Sequence, residues 1–122
     1  MMIKIPLTLF ATSLLALAAF AGERIQPDGT FHTTPGGHNG GLQTEVSNGG
    51  KTMKIPSIGR TYHLTTHPVT GEQLYKIDPD SLGRYVRFQG GCPLYDWEVL
   101  LSDGVTPNGT TGQLVPDAYH CD

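Results

Sequence analysis

From residue 51 onward, apolar and polar positions alternate with a period of two. KTMKIPSI, 51–58, sets Met53 and Ile55 on one face against Thr52 and Lys54. RTYHLTTH, 60–67, sets Tyr62 and Leu64 against Thr61, His63 and Thr65. EQLYKID, 72–78, pairs Tyr75 with Ile77, and RYVRF, 84–88, pairs Val86 with Phe88. DWEVLLS, 96–102, sets Trp97, Val99 and Leu101 against Asp96, Glu98, Leu100 and Ser102. Successive side chains of a strand point to opposite faces, so this period predicts half-buried β-strands. Turn residues separate the runs: His67-Pro68-Val69-Thr70-Gly71, Pro79 to Gly83, and Asp103-Gly104. Residues 72–88 read as a hairpin with a five-residue loop. Pro56 removes a ladder donor, so the first strand lies at an edge or ends there. A short last strand is expected near Gly112 to Val115. Six short strands over residues 51–122 predict an all-β domain, either two antiparallel sheets packed face to face or a small barrel. The six-stranded antiparallel β-sandwich is the expectation carried forward.

Residues 22–50 break the pattern. They hold eight glycines in 29 positions, and Ile25, Phe31, Leu42 and Val46 recur with neither helical nor strand period. So little apolar surface does not offset the entropy of ordering the chain, and a flexible Gly-rich extension is expected. Residues 1–21 read differently again. Lys4 precedes an apolar run from Leu7 to Phe20, and Ala19-Phe20-Ala21 has the small-x-small form of a signal-peptidase site. The expectation is a cleaved signal peptide and a secreted, extracellular protein.

Removal of that segment leaves about 100 residues with seven basic and eleven acidic side chains. With no basic cluster, neither nucleic acid nor an anionic membrane surface is an expected partner. Two cysteines in a secreted chain, Cys92 and Cys121, most simply form one disulfide. A loop of that size stabilises by about 3.5 kcal/mol in the chain-entropy model.

Candidate chemistry is sparse. Asp96 and Glu98 are two apart on one strand, within reach of a glycosidase-type separation. Nothing in the sequence around them implies burial, so they read as a solvated face, with Trp97 as the core anchor between them. His63 and His67 have the i, i+4 spacing of a zinc helix, but Pro68 and the intervening Leu-Thr-Thr argue strand and turn. His32 and His38 are isolated imidazoles in a Gly-rich segment. No metal, cofactor or catalytic residue is assigned. Asn108-Gly109-Thr110 is an N-glycosylation sequon.

Two resemblances add to this. Cys92 to Gly104 resembles a stretch of the MAX family of fungal effectors: a cysteine entering the fifth strand, the aliphatic run Val99-Leu100-Leu101, the turn Ser102-Asp103-Gly104, and a short sixth strand. The hairpin from Glu72 to Phe88 is similar to that family's third and fourth strands. The resemblance implies a sandwich of two three-stranded sheets and a secreted virulence protein that binds host proteins, some members through an exposed strand edge. It covers about 70 residues and rests on short motifs. The family usually bonds this cysteine to one in its first strand, where this chain has Met53 and Ile55, so Cys121 would take that place. The second resemblance is to T1/N1-type ribonucleases and their inactive relatives. Tyr95-Asp96-Trp97-Glu98 is similar to their Tyr-x-Glu-Trp strand, and Tyr62-His63-Leu64 to their His-bearing strand. Here Asp96 takes the catalytic Glu position and Gln113 lies near the expected arginine, which implies an inactive protein.

The expectation is therefore a monomeric, non-catalytic, effector-like protein that binds host proteins outside or inside the host cell. Its binding edge would be the RTYHLTTH strand, through Arg60, Tyr62, His63 and Thr65. A ribonuclease-like protein and a cell-wall or surface structural protein are the competing classes.

Overall fold

The structure, a computed structural model, describes residues 22–34, 41–91 and 94–117. Eight strands follow one another in chain order: β1 Gly29–Thr33, β2 Gln43–Ser47, β3 Thr52–Ile55, β4 Arg60–Thr66, β5 Gln73–Asp78, β6 Tyr85–Gly90, β7 Tyr95–Leu100 and β8 Pro107–Pro116. A short 3-10 turn, Pro56–Ile58, joins β3 to β4 and ends on Gly59, whose φ of 61° suits a residue without Cβ. Each strand pairs antiparallel with the next, and β1 closes on β8 through Phe31↔Pro116, His32↔Val115 and Thr33↔Leu114.

The fold is thus a closed eight-stranded antiparallel barrel, and the six-stranded sandwich is corrected. The strands expected from 51 onward are present; what differs is what they pair with. The correction also reaches residues 22–50. That segment supplies β1 and β2 and buries Ile25, Phe31 and Val46, so it is part of the barrel wall and not a flexible extension. Its strands were hard to read because their inward positions alternate apolar side chains with Thr33 and Thr44, both buried. The pairing with β8 that orders them lies over 80 residues away in sequence.

Inward positions fill the barrel. Phe31, Val46, Met53, Ile55, Tyr62, Tyr75, Ile77, Val86, Phe88, Tyr95, Val99 and Leu114 form one buried cluster, with Leu42, Leu64 and Trp97 packed against it. Phe88 stands at the centre of three aromatic rings, edge-on to Tyr75 at 5.2 Å and to Tyr95 at 6.4 Å, geometries that aromatic quadrupoles favour. Outward positions such as Glu45, Lys54, His63, Lys76 and Asp78 are charged or polar and exposed. This is the inverse of the apolar outer band of a membrane-spanning barrel.

One end of the barrel is closed by the segment preceding β1. Ile25 is fully buried there, and two tyrosines reach from the wall to hold its backbone. The Ile25 N–H donates to the Tyr75 hydroxyl at 3.0 Å, and that hydroxyl donates onward to the carbonyl of Gly50. The Gln26 N–H donates to the Tyr95 hydroxyl at 2.7 Å, and Tyr95 Oη lies 3.2 Å from the carbonyls of Arg24 and Gln26. Asp28 completes the plug by accepting the N–H groups of Gly49 and Gly50, each at 2.9 Å. Burial pushes the Tyr75 hydroxyl up to about 12 and raises that of Tyr95, so both stay protonated.

Candidate functional site

The opposite end, which carries the β3–β4 and β5–β6 turns, is not filled. A cavity of about 170 Å³ lies inside the wall there, with Met53, Ile55, Ile77, Val86, Phe88 and Val99 among its apolar lining. Five polar-tipped residues also line it: Thr33, Arg60, Tyr62, Arg84 and Thr110. Strand ends place them: Arg60 opens β4, Arg84 immediately precedes β6, and Thr33 closes β1.

The two arginines differ. Arg84 is neutralised locally by Asp80, which accepts from its Nε at 3.1 Å, its Nη2 at 2.9 Å and its backbone N–H at 2.7 Å. The side-chain hydrogen bond from Arg84 holds the Asp80 carboxyl down at about 2. Arg60 has no ion-pair partner among the described residues. Tyr62 is buried, and among the described residues its hydroxyl has no hydrogen-bond partner. Among the described residues, the cavity therefore pairs an apolar body with one uncompensated cation and one unused hydroxyl.

Trp97 sits at the side of this cavity. Its cross-strand neighbour is Gly112, where a Cβ would run into the indole ring; the glycine leaves the space the ring occupies. Trp97 is half-buried, packs on the core and lines the cavity, so it is a wall residue more than a central anchor. It also borders an outer groove lined by Thr34, Arg87, Asp96, Glu98 and Gln113. In that groove the acids part company. Asp96 is exposed and takes a long 3.4 Å bond from Gln113, whereas Glu98 is ion-paired with Arg87. Arg87 also reaches Glu72 at 3.3 Å. Burial works against the Arg87 charge, but Glu98 and Glu72 outweigh it and hold the guanidinium above its usual range. Glu98 is thus a structural ion-pair partner and not the bare solvated acid expected of it.

The binding edge expected at Arg60, Tyr62, His63 and Thr65 is corrected by the pairing. β4 is bonded to β3 on one side and to β5 on the other, so it offers no open ladder. Of those residues, Arg60 and Tyr62 come together instead in the cavity, while His63 points outward, 3.6 Å from Asp78. His67 is structural. Its Nε2 lies 2.8 Å from the carbonyl of Asp103 and its Nδ1 accepts from the N–H groups of Val69 and Thr70 at 3.1 Å, tying two turns together. His32 pairs with Asp117 at 2.7 Å. Asn108 is exposed in β8, its side chain accepting the Thr110 N–H at 2.8 Å. The ribonuclease-like set does not converge: three strand spacings, roughly 14 Å, separate the His63 strand from that of Glu98. Cys92 and Cys121, with the disulfide expected between them, lie outside the described residues, as do the segment expected to be a signal peptide and His38.

Arg84 and Asp80 were missed in the sequence. The available signal was their i, i+4 spacing across the β5–β6 turn, which reads equally well as loop polarity.

No family model matches the chain, and no curated protein or solved structure matches it. Fold and site together define a class by geometry: a closed up-and-down barrel plugged at one end and hollow at the other.

Proposed function

We propose that the protein binds a small apolar molecule with an anionic end inside its barrel, without chemical turnover. The observation that carries this is the largely apolar cavity of about 170 Å³, with Arg60, unpaired among the described residues, and the Tyr62 hydroxyl on its lining. Eight-stranded barrels are the size at which an interior either fills with side chains or holds one small ligand. A dry engineered cavity of about 150 Å³ takes a benzene ring, whereas drug-sized ligands need at least about 300 Å³. The ligand class is therefore a single aromatic ring or a short branched chain bearing a carboxylate. The ring lies among Ile77, Val86, Phe88 and Val99, and the carboxylate takes the Arg60 guanidinium and the Tyr62 O–H. Nine non-hydrogen atoms at about 0.6 kcal/mol each give a Kd on the order of 0.1 mM. This reading differs from the host-protein binding expected of the sequence: the binding moves from a strand edge to the barrel interior.

The sole tryptophan lines the cavity and serves as the reporter. Titration with benzoate, toluene and benzylamine, followed by Trp97 fluorescence, should give saturable binding strongest for benzoate and weakest for the cation. Arg60→Gln should remove the preference for benzoate over toluene, and Val86→Phe should weaken both by filling the cavity. A flat fluorescence response to all three probes at millimolar concentration would defeat the proposal. So would a benzoate preference that survives loss of Arg60.

A further inference from the structure

The seam between β5 and β6 is short. Its ladder has two residue pairs, Tyr75↔Val86 and Lys76↔Tyr85, where the neighbouring seams β4–β5 and β6–β7 have six each. Beyond those two pairs the gap is occupied by the first described residues of the chain. The Glu23 N–H donates to the Phe88 carbonyl at 2.7 Å, and the Glu23 carboxylate accepts the Gly90 N–H at 2.6 Å. Gly22 is buried against β5, and its nitrogen lies 3.1 Å from Glu72 Oε2. A Cβ at position 22 would run into the carbonyl oxygen of Gln73 and crowd Arg87 Cγ at 3.2 Å, so the site accepts only glycine.

The charges at this spot do not balance. Glu72 and Glu98 share the single guanidinium of Arg87, with side-chain exposures of 12%, 28% and 20%. Among the described residues, two shielded carboxylates against one cation leave an uncompensated negative charge where solvent screening is weak. The Gly22 nitrogen faces that excess at ion-pair distance. As a peptide N–H it offers a dipole; as a chain terminus it would offer a full positive charge. The peptide bond before it follows Ala19-Phe20-Ala21, the small-x-small form of a signal-peptidase site.

We propose that hydrolysis between Ala21 and Gly22 is a maturation step whose product is built into the fold: the new α-ammonium of Gly22 pairs with Glu72 and locks the β5–β6 seam. Water adds across the peptide bond, Ala21 keeps the carboxylate, and the Gly22 amine takes up a proton. The ammonium completes a set of two carboxylates and two cations, Gly22–Glu72–Arg87–Glu98. Cleavage one residue to either side would misplace the charge. An extra residue leaves an amide at Glu72, and loss of Gly22 puts Glu23, with its side chain, at the terminus. This lock is independent of the ligand proposed for the cavity.

The test uses the full-length chain secreted with its own leader. Intact-mass analysis of the secreted protein should give a chain beginning at Gly22. An amine-reactive ester at neutral pH, followed on the N-terminal tryptic peptide, should label the Gly22 amine at least about tenfold more slowly in the native protein than in urea, as a buried group reacts only on local opening. Glu72→Gln should bring the native labelling rate close to that of the unfolded chain. Where that variant does not fold, Glu72→Asp, which withdraws the carboxylate by one carbon, is read in the same way. A secreted chain beginning at another residue overturns the proposal. Equal labelling of native and unfolded wild type, or unchanged protection in the Glu72 variant, does so too.

Discussion

Tyr75→Phe isolates a single oxygen atom at the plugged end of the barrel. The Tyr75 ring is fully buried and packs edge-on against Phe88 at 5.2 Å, a contact that phenylalanine preserves. What is lost is the hydroxyl, which accepts the Ile25 N–H at 3.0 Å and donates to the Gly50 carbonyl. Ile25 is itself fully buried, so its N–H is left without water or protein to replace the partner. A buried group orphaned in this way costs about 1–3 kcal/mol. The Gly50 carbonyl lies in the β2–β3 turn and belongs at the low end of that range. The expected destabilisation is therefore about 2–4 kcal/mol, a large share of the 5–15 kcal/mol typical of a domain. With a urea m-value of about 1.2 kcal/mol/M, the unfolding midpoint should fall by about 2–3 M. The loss should also be local, because the hydroxyl holds the segment before β1. Trypsin cleavage after Arg24, slow in the wild type, should accelerate well ahead of global unfolding. The substitution has an alkaline signature as well. Below pH 10 the Tyr75 hydroxyl is protonated in folded and unfolded chains alike. Between pH 10 and about 12 only the unfolded chain ionises, so wild-type stability falls as pH rises through that window. Tyr75→Phe should make that fall shallower. A midpoint shift below about 0.4 M, with Arg24 cut at the wild-type rate, would refute the plug as described.

Gly112→Ala should displace the Trp97 indole, because the added methyl occupies the ring's place; a red-shifted emission and a loss of about 1–3 kcal/mol in urea unfolding are expected. Trp97→Ala should cost less than a fully buried aromatic does, about 1–3 kcal/mol by thermal or urea melting, since the ring is only half-buried. Asp80→Asn should remove an acid-range loss of stability: Arg84 holds the Asp80 carboxyl at about 2, so its contribution is present above pH 4 and lost as pH falls toward 2. Melting curves from pH 5 to pH 2 should be flatter for the variant than for the wild type.

The Trp97 region shows how far local pattern reaches. Alternation predicts Trp97, Val99 and Leu101 on the inner face. Trp97 and Val99 are inside, and the β6–β7 register runs unbroken to Leu100; the irregularity between Glu98 and Leu100 falls on β8, which advances four residues against two of β7. Leu100 is fully buried, while Leu101 falls just past the strand and is 42% exposed. Leu100 is thus buried on the face it shares with Asp96 and Glu98, and what covers that face is not revealed by alternation alone. Leu74 shows a related effect. It lies between the inward Tyr75 and the intermediate Gln73, yet it is fully buried. The Asp103–Thr106 turn covers it, because Gly104 comes close enough for a Cβ there to meet Leu74 Cδ1 at 3.3 Å. Nothing near Leu74 in sequence announces a cover supplied 30 residues later.

The sequence by itself determined the strands from β3 to β8 in outline, their inward residues and the turns between them. Those follow from side-chain alternation and from turn chemistry, which act within a few residues. The same pattern fits a sandwich and a barrel equally well, since both bury one face of each strand. Closure was decided only in the tertiary structure, by the pairing of β1 with β8 across the length of the chain. That pairing ordered the Gly-rich segment, while the ladders to β3 and β5 removed the edge from β4, and Arg60 and Tyr62 face a shared cavity. Packing of the first described residues against β5 and β6 likewise brings Gly22 to Glu72, 50 residues apart in sequence. Charges and cavities of this kind arise from which strands become neighbours, a non-local choice that binary patterning does not encode.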